Sequence, residues 1–309
     1  MSLNLPFKGI ITPLVTPFTQ HGDLDVDSLK GLLDHIIEGG VHGVFVLGTS
    51  GEAPSLSHEM QREVVAHTCQ HVACRIPVLV GISDTSPDES LALAQFAAEQ
   101  QADAVVLAAP YYFPMHQHDL EQYVRDLAPE LPLPFLLYNM PSHTKVAFEV
   151  STIERLLDVQ GFVGVKDSSG NMHYFNQLLQ LAADRPDFSL LMGPEELMAE
   201  AVLMGGHGGI SGGSNLFPDL YVSLYEAALT EDLRETHRLQ QQVMRLSKAI
   251  YTVGQPPTGY LTGIKTALSM FGRCTAKLAS PLYPLSDPEQ AQIRQHLIDL
   301  GYADQLSPV

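Results

Sequence analysis

Lys166 stands where a lysine is chemically conspicuous. It ends the apolar run Gly161-Phe162-Val163-Gly164-Val165 and is followed by Asp167-Ser168-Ser169-Gly170, which reads as a buried β-strand passing into a polar loop. Taking an ammonium out of water is costly. A lysine there is therefore either a surface residue just past the strand or a desolvated amine of lowered pKa. The second kind attacks carbonyl carbons and forms Schiff bases. Other strand-like runs end on residues suited to the same chemistry. Gly48-Thr49-Ser50-Gly51-Glu52 offers two hydroxyls and free backbone N–H groups, and Pro110-Tyr111-Tyr112 and Tyr138-Asn139-Met140-Pro141 offer phenols. Gly193-Pro194-Glu195-Glu196 and the stretch from Gly208 through Ile210 to Asn215 offer glycine-rich walls. Singly, these are a strand-to-helix turn or weak phosphate cradle, packing aromatics and tight turns. Together they suit condensation of a carbonyl compound with a 2-oxo acid. A neutral lysine amine attacks the ketone, a tyrosine hydroxyl relays protons, and the Thr49-Ser50 turn holds the carboxylate. The lysine imine is then the electron sink, and neither a metal nor an organic cofactor is required.

For these residues to meet, their strands must open on one mouth. Short β-rich runs lie at about 9–16, 42–47, 77–82, 103–108, 134–139, 162–166, 188–193 and 207–211. Helical spacing fills the gaps. Residues 25–38 carry Leu29, Leu32, Leu33, Ile36 and Ile37 on one stripe. Ser57 with Gln61 resembles a capping box one residue too long, and Ser86-Pro87 places serine at the N-cap and proline at the first helical position. Further helices are expected near 118–128, 149–158, 171–183, 195–204 and 216–229. Eight strands alternating with helices predict an α/β fold, a (β/α)8 TIM barrel, whose active site lies at the C-terminal strand ends. A doubly wound sheet would want a glycine-rich loop after the first strand, and Thr12-Pro13-Leu14-Val15-Thr16-Pro17 is nothing like one. We expect residues 1–230 to form the barrel with the active site and 231–309 a C-terminal helical extension. Amphipathic stretches at 234–250, 260–271 and 288–300 make up that extension, joined by proline-rich turns at 254–257 and 279–284.

Bulk properties narrow the function classes. With 17 basic and 35 acidic residues the formal charge is −18, which argues against nucleic acid or an anionic membrane as partner and leaves room for a small anionic substrate. Three cysteines without C-x-x-C spacing suit a reducing compartment and small packing roles. No secretory-type leader and no 18-residue apolar run is apparent, so a cytoplasmic protein is expected. His67 and His71 have an i, i+4 spacing that can bind zinc, but no third ligand is evident and no metal is expected. His116 and His118 open a helix and are expected to face solvent. A non-catalytic sugar-acid-binding barrel is disfavoured by the lysine and tyrosine, and a metal-dependent hydrolase by the lack of clustered histidine and aspartate at the strand ends.

Over its full length the chain resembles the dihydrodipicolinate synthase / N-acetylneuraminate lyase family of Schiff-base aldolases. The likeness rests on the opening Gly9-Ile10-Ile11-Thr12-Pro13-Leu14-Val15-Thr16-Pro17-Phe18, on Gly48-Thr49-Ser50-Gly51-Glu52 and on Tyr138-Asn139-Met140-Pro141. Gly164-Val165-Lys166-Asp167, with Lys166 following Tyr138 by 28 residues, completes it. The resemblance implies a barrel with a C-terminal helical extension, assembled as a homotetramer, a dimer of dimers. It implies that Lys166 forms the imine with pyruvate, that Tyr138 transfers protons, and that Thr49 and Ser50 hold the pyruvate carboxylate and link the relay. Tyr112 matches a tyrosine that reaches into a neighbouring subunit's site. Gly48, Gly193 and Ile210 are expected to wall the substrate site. His143 occupies the position where dihydrodipicolinate synthases typically carry a carboxylate-binding arginine, and histidine does not replace a bidentate, permanently charged group at pH 7. The expected reaction is thus the joining or release of pyruvate in a 2-oxo acid, with a 2-keto-3-deoxy sugar acid as the leading substrate. Dihydrodipicolinate synthase, with Lys145 supplying the missing charge, and a sugar-acid dehydratase are the alternatives. Glu195-Glu196 would then either meet sugar hydroxyls or simply open a helix.

Overall fold

The computed structural model describes residues 5–254 and 258–308. Eight parallel strands close into a barrel in sequence order: β1 (Gly9–Pro13), β2 (Gly43–Val46), β3 (Val78–Gly81), β4 (Ala104–Ala108), β5 (Phe135–Asn139), β6 (Phe162–Asp167), β7 (Ser189–Met192) and β8 (Gly208–Gly209). Around it run α1 (Val26–Glu38), α2 (His58–Val72), α3 (Pro87–Glu99), α4 (Gln117–Leu127), the single turn α5 (Pro141–Thr144), α6 (Val150–Leu156), α7 (Met172–Leu181), α8 (Met198–Leu203) and α9 (Pro218–Leu229). Three further helices follow: α10 (Leu233–Tyr251), α11 (Gly259–Met270) and α12 (Asp287–Asp299). No helix among the described residues is long and apolar enough to cross a membrane.

Each strand is buried along its whole length, as expected of a parallel sheet covered by helices outside and filled inside. Alternate side chains divide the core in two. Phe45, Leu79, Val106, Leu136, Leu191 and Ile210 fill the barrel interior, whereas Val44, Val80, Val105, Leu137 and Val165 pack outward against the helix layer. That period-two alternation also sends Tyr138 and Lys166 inward. The two are direct Cα partners in the β5–β6 ladder, so the spacing of 28 between them amounts to one β/α unit.

Several boundaries differ from the sequence reading, each for a local reason. The first strand stops at Pro13, because the Val15 N–H turns to the Asn215 Oδ1 (3.1 Å) instead of the ladder. The eighth shrinks to two glycines, although the His207 and Ile210 N–H groups still reach the β7 carbonyls Leu190 and Met192 at 2.8 Å. Residues 195–197 form a 3₁₀ turn before α8. Ser57 caps α2 by accepting from Met60 N, but the Gln61 amide goes to the Ala53 carbonyl, so no capping box forms. Ser86 makes no side-chain cap; the Asp84 carboxylate accepts the Ser86 N–H at 2.8 Å and pre-shapes the turn before Pro87. The turn at 279–284 closes through Leu282 N to Ala279 O. Gln255, Pro256 and Pro257 of the turn expected at 254–257 lie outside the described residues. Cys74 is exposed and so has no buried packing role, while Cys69 and Cys274 are half-buried, and all three are free. His71 hydrogen-bonds Asp34 at 2.9 Å, and His116 and His118 face solvent.

Candidate active site

Lys166 is the next-to-last residue of β6 and only 4% exposed, so it is inside the barrel mouth and not a surface lysine beyond a strand. Its ammonium lies 3.9 Å from the centre of the Tyr138 ring and 4.9 Å from that of Phe45. Burial pushes its pKa below the ordinary lysine value, and the Tyr138 hydroxyl only partly opposes this. The neutral amine is the nucleophilic form, and desolvation is the means of obtaining it near neutral pH.

Tyr138, buried on β5, lies between Lys166 and the Thr49 turn. Burial works to raise its pKa; the nearby Lys166 charge and hydrogen bonds with Ser168, Thr49 and Lys166 outweigh burial and bring it below the ordinary tyrosine value. The Thr49 hydroxyl is 3.3 Å from the Tyr138 hydroxyl. Lysine, phenol and alcohol thus form one chain along which a proton can pass. Because Lys166 and Tyr138 are so close, their titrations belong to the pair rather than to either residue.

Two adjoining cavities open here and share Thr49, Tyr138 and Met140 as walls. The first, about 230 Å3, holds Lys166, Ser50, Gly193 and Ile210 together with Ser168, Glu195, Glu196, Tyr251 and Tyr260. The second, about 370 Å3, contains Gly48, Tyr111, His143 and Lys145. Glycine is required at two of these walls. A β-carbon on Gly193 would stand 1.9 Å from the Ser168 hydroxyl, and one on Gly48 would stand 2.6 Å from the Phe45 ring. Each glycine lets a functional side chain occupy the space its own would fill.

The expected residues Lys166, Tyr138, Thr49, Ser50, Gly193 and Ile210 therefore share the first cavity. Gly48 and His143 are in the second. Tyr112 is in neither: it is 77% exposed, and Tyr111 takes the inward position on that loop. His143 is exposed at the rim, 2.9 Å from the Ser142 hydroxyl. The part of its ring that is turned inward is desolvated, and this, then the charges of Lys145 and Lys166, hold its pKa below the usual histidine value, so at neutral pH it is an uncharged hydrogen-bonding group.

Four residues that line the first cavity were not singled out from sequence. Ser168 follows Lys166 by two residues and was read only as loop. Tyr251, Tyr260 and Ile264 come from α10 and α11, beyond the barrel strands. Glu195 is the buried member of the acidic pair. Its carboxylate accepts from Gly213 N at 2.8 Å, from the Tyr251 hydroxyl at 2.8 Å and from the Tyr221 hydroxyl. Burial and the adjacent Glu196 raise its pKa to about 7. Glu196 accepts from the Ser247 hydroxyl and borders the same cavity.

Comparison with known proteins agrees with this geometry. The model of the dihydrodipicolinate synthetase family matches residues 6–299. A 4-hydroxy-tetrahydrodipicolinate synthase of Polynucleobacter asymbioticus is 34% identical over 294 residues, covering 93% of this chain and 94% of that protein. The solved structure of dihydrodipicolinate synthase from Bacteroides thetaiotaomicron superposes with a TM-score of 0.93 at 51% identity, covering 96% of this chain and 99% of the other. A prophage protein of Escherichia coli K12, of the dihydrodipicolinic acid synthase family and solved in complex with pyruvate, gives 0.90 at 30% identity, covering 95% and 98%. Sequence, barrel and relatives coincide over nearly the entire length, and the chain belongs to the dihydrodipicolinate synthetase family of class I, lysine Schiff-base lyases and aldolases.

Proposed function

We propose that this enzyme joins pyruvate to an aldehyde, or releases it from a 2-oxo acid, through an imine on Lys166. The observation that supports this most is the buried Lys166 amine beside the Tyr138–Thr49 hydroxyl pair, in a cavity whose largely apolar wall also carries Ser50, Ser168 and Glu196. Lys166 Nζ adds to the ketone carbon of pyruvate, forming a C–N bond and a carbinolamine. The Tyr138 hydroxyl protonates the departing oxygen, which leaves as water, and the lone pair of nitrogen closes the iminium. The Tyr138 phenolate takes a proton from the methyl carbon to give an enamine, whose electron pair forms the new bond to the aldehyde carbon while the aldehyde oxygen takes that proton back from Tyr138; water then adds to the iminium and breaks its C–N bond, freeing Lys166 and the product. Cleavage runs through the same steps in reverse. Thr49 and Ser50 hold the carboxylate, and no metal or further cofactor takes part.

The second substrate has two readings. The names of the relatives favour the second of those drawn from sequence, 4-hydroxy-tetrahydrodipicolinate synthase, over the sugar-acid reading. Lys145, at the rim of the second cavity, is the cation that reading would use for the aldehyde's carboxylate. Glu196, Ser168 and Tyr260 in the first cavity favour a hydroxylated aldehyde without a second carboxylate, and hence a 2-keto-3-deoxy sugar acid, because an acidic side chain accepts hydrogen bonds from hydroxyls and repels another carboxylate. Turnover of pyruvate with aspartate semialdehyde, N-acetylmannosamine and glyceraldehyde separates the two. Exclusive use of aspartate semialdehyde, lost on Lys145→Ala, establishes the synthase; use of the hydroxylated aldehydes establishes the sugar-acid lyase. Turnover of none contradicts both. We further take the working form to be a cytoplasmic homotetramer, which the free cysteines and the exposed Tyr112 support.

A further inference from the structure

The turn after β2 is held from a distance. Glu52 closes the Gly48–Glu52 segment, and its side chain and that of Lys265 on α11 are both completely buried, with Nζ 2.6 Å from Oε1. The second carboxylate oxygen accepts from Ala279 N at 2.7 Å. Lys265 also donates to the Lys277 carbonyl at 2.7 Å and lies 4.0 Å from the centre of the Phe18 ring. The turn between them is a demanding one. Leu47 and Glu52, which bracket it, both adopt left-handed backbone (φ 57°), a conformation that non-glycine residues hold only when their surroundings impose it. From the barrel side, the Thr16 hydroxyl grips the Gly51 carbonyl at 2.7 Å.

A buried ion pair is a poor route to stability, since desolvation of both charges offsets their attraction and an apolar pair of like volume often serves as well. Its benefit is geometric: two charged groups with fixed partners define one position. We propose that Glu52 and Lys265 are positioning residues for substrate carboxylate recognition, with the C-terminal segment setting the backbone N–H groups and hydroxyls of Thr49 and Ser50. This rests on the pyruvate-imine reading and adds that carboxylate affinity is controlled through α11, 213 residues away in sequence.

The test separates carboxylate recognition from lysine reactivity. Borohydride trapping is measured against the concentration of pyruvate and of acetone, which presents a ketone without a carboxylate. The wild type is compared with the charge-neutral double variant Glu52→Gln/Lys265→Met, with thermal unfolding followed in parallel. The half-saturating pyruvate concentration is expected to rise about tenfold or more, with acetone trapping and the unfolding midpoint near wild type. Unchanged pyruvate affinity overturns the proposal, and so does an equal loss for pyruvate and acetone. Should the double variant not fold, Glu52→Asp, which withdraws the carboxylate by one methylene while keeping its charge, is read in the same two assays with the same criteria. Failure of pyruvate to trap the wild type would overturn the imine reading itself, which keeps the two failures distinct.

Discussion

At the residue scale, the chemistry rests on two side chains: Lys166, which burial drives towards its neutral form, and Tyr138, whose pKa the Lys166 charge and its hydrogen bonds lower against burial. Lys166 is a poor nucleophile when charged, and the barrel interior disfavours the charge. Tyr138 is the group that can return or remove the proton, being in contact with both Lys166 and Thr49. Tyr138→Phe keeps the ring that flanks the lysine and removes only the hydroxyl. Its kcat is expected to fall by about 10²- to 10⁴-fold, the usual contribution of a positioned acid–base group, with pyruvate binding far less affected. Steady-state kinetics over a range of pyruvate concentrations checks this; a kcat within a few-fold of wild type would remove Tyr138 from the relay. These two residues were legible in the sequence because their signal is local: a polar side chain at the end of an apolar run. Ser168 carried no such signal, since a serine in a polar loop is unremarkable until the fold places it against Tyr138.

At the element scale, the junction after β7 carries a titration of its own. Glu195 has an ordinary pKa of 4.5 and is raised to about 7 by burial, with Glu196 adding to the shift. A carboxyl raised on folding binds its proton more tightly in the folded state. Its stabilising contribution is complete below 4.5 and is lost as pH rises through about 7, a change on the order of 3 kcal/mol for a shift of this size. Glu195→Gln cannot titrate. The stability difference, variant minus wild type, should therefore grow as pH rises from 4.5 to 7 and level off above it. Chemical denaturation at stepped pH measures the difference, and a constant value across that window would mean that Glu195 does not titrate there. Strands were read from sequence to within a few residues because they are short continuous apolar runs, and helices because their burial is periodic. The partners of Glu195 and Glu52 were not, since Tyr251 is 56 residues from one and Lys265 213 residues from the other. Pairings of that range leave no periodic trace.

At the scale of the whole molecule, eight strand ends make one mouth, and helices beyond the barrel complete its wall with Tyr251, Tyr260 and Ile264. The mouth also presents large apolar surface to the outside: Tyr112 and Phe113 are 77% and 72% exposed, edge to face at 5.0 Å. Exposed aromatics of this size are characteristic of contact surfaces. If the protein is the proposed homotetramer, sedimentation should give about four times the 33.7 kDa chain mass. Tyr112→Ala should lower activity even though Tyr112 lies outside its own chain's cavities. A monomer with full activity, or an unaffected Tyr112→Ala variant, would exclude that role.

The central claim is the covalent bond between Lys166 and pyruvate. Borohydride reduction in the presence of pyruvate, followed by peptide mapping, tests it without knowledge of the second substrate. A stable adduct on the peptide containing Lys166, absent from Lys166→Arg, is the predicted result. No adduct in the wild type, or an adduct that persists in Lys166→Arg, would contradict it.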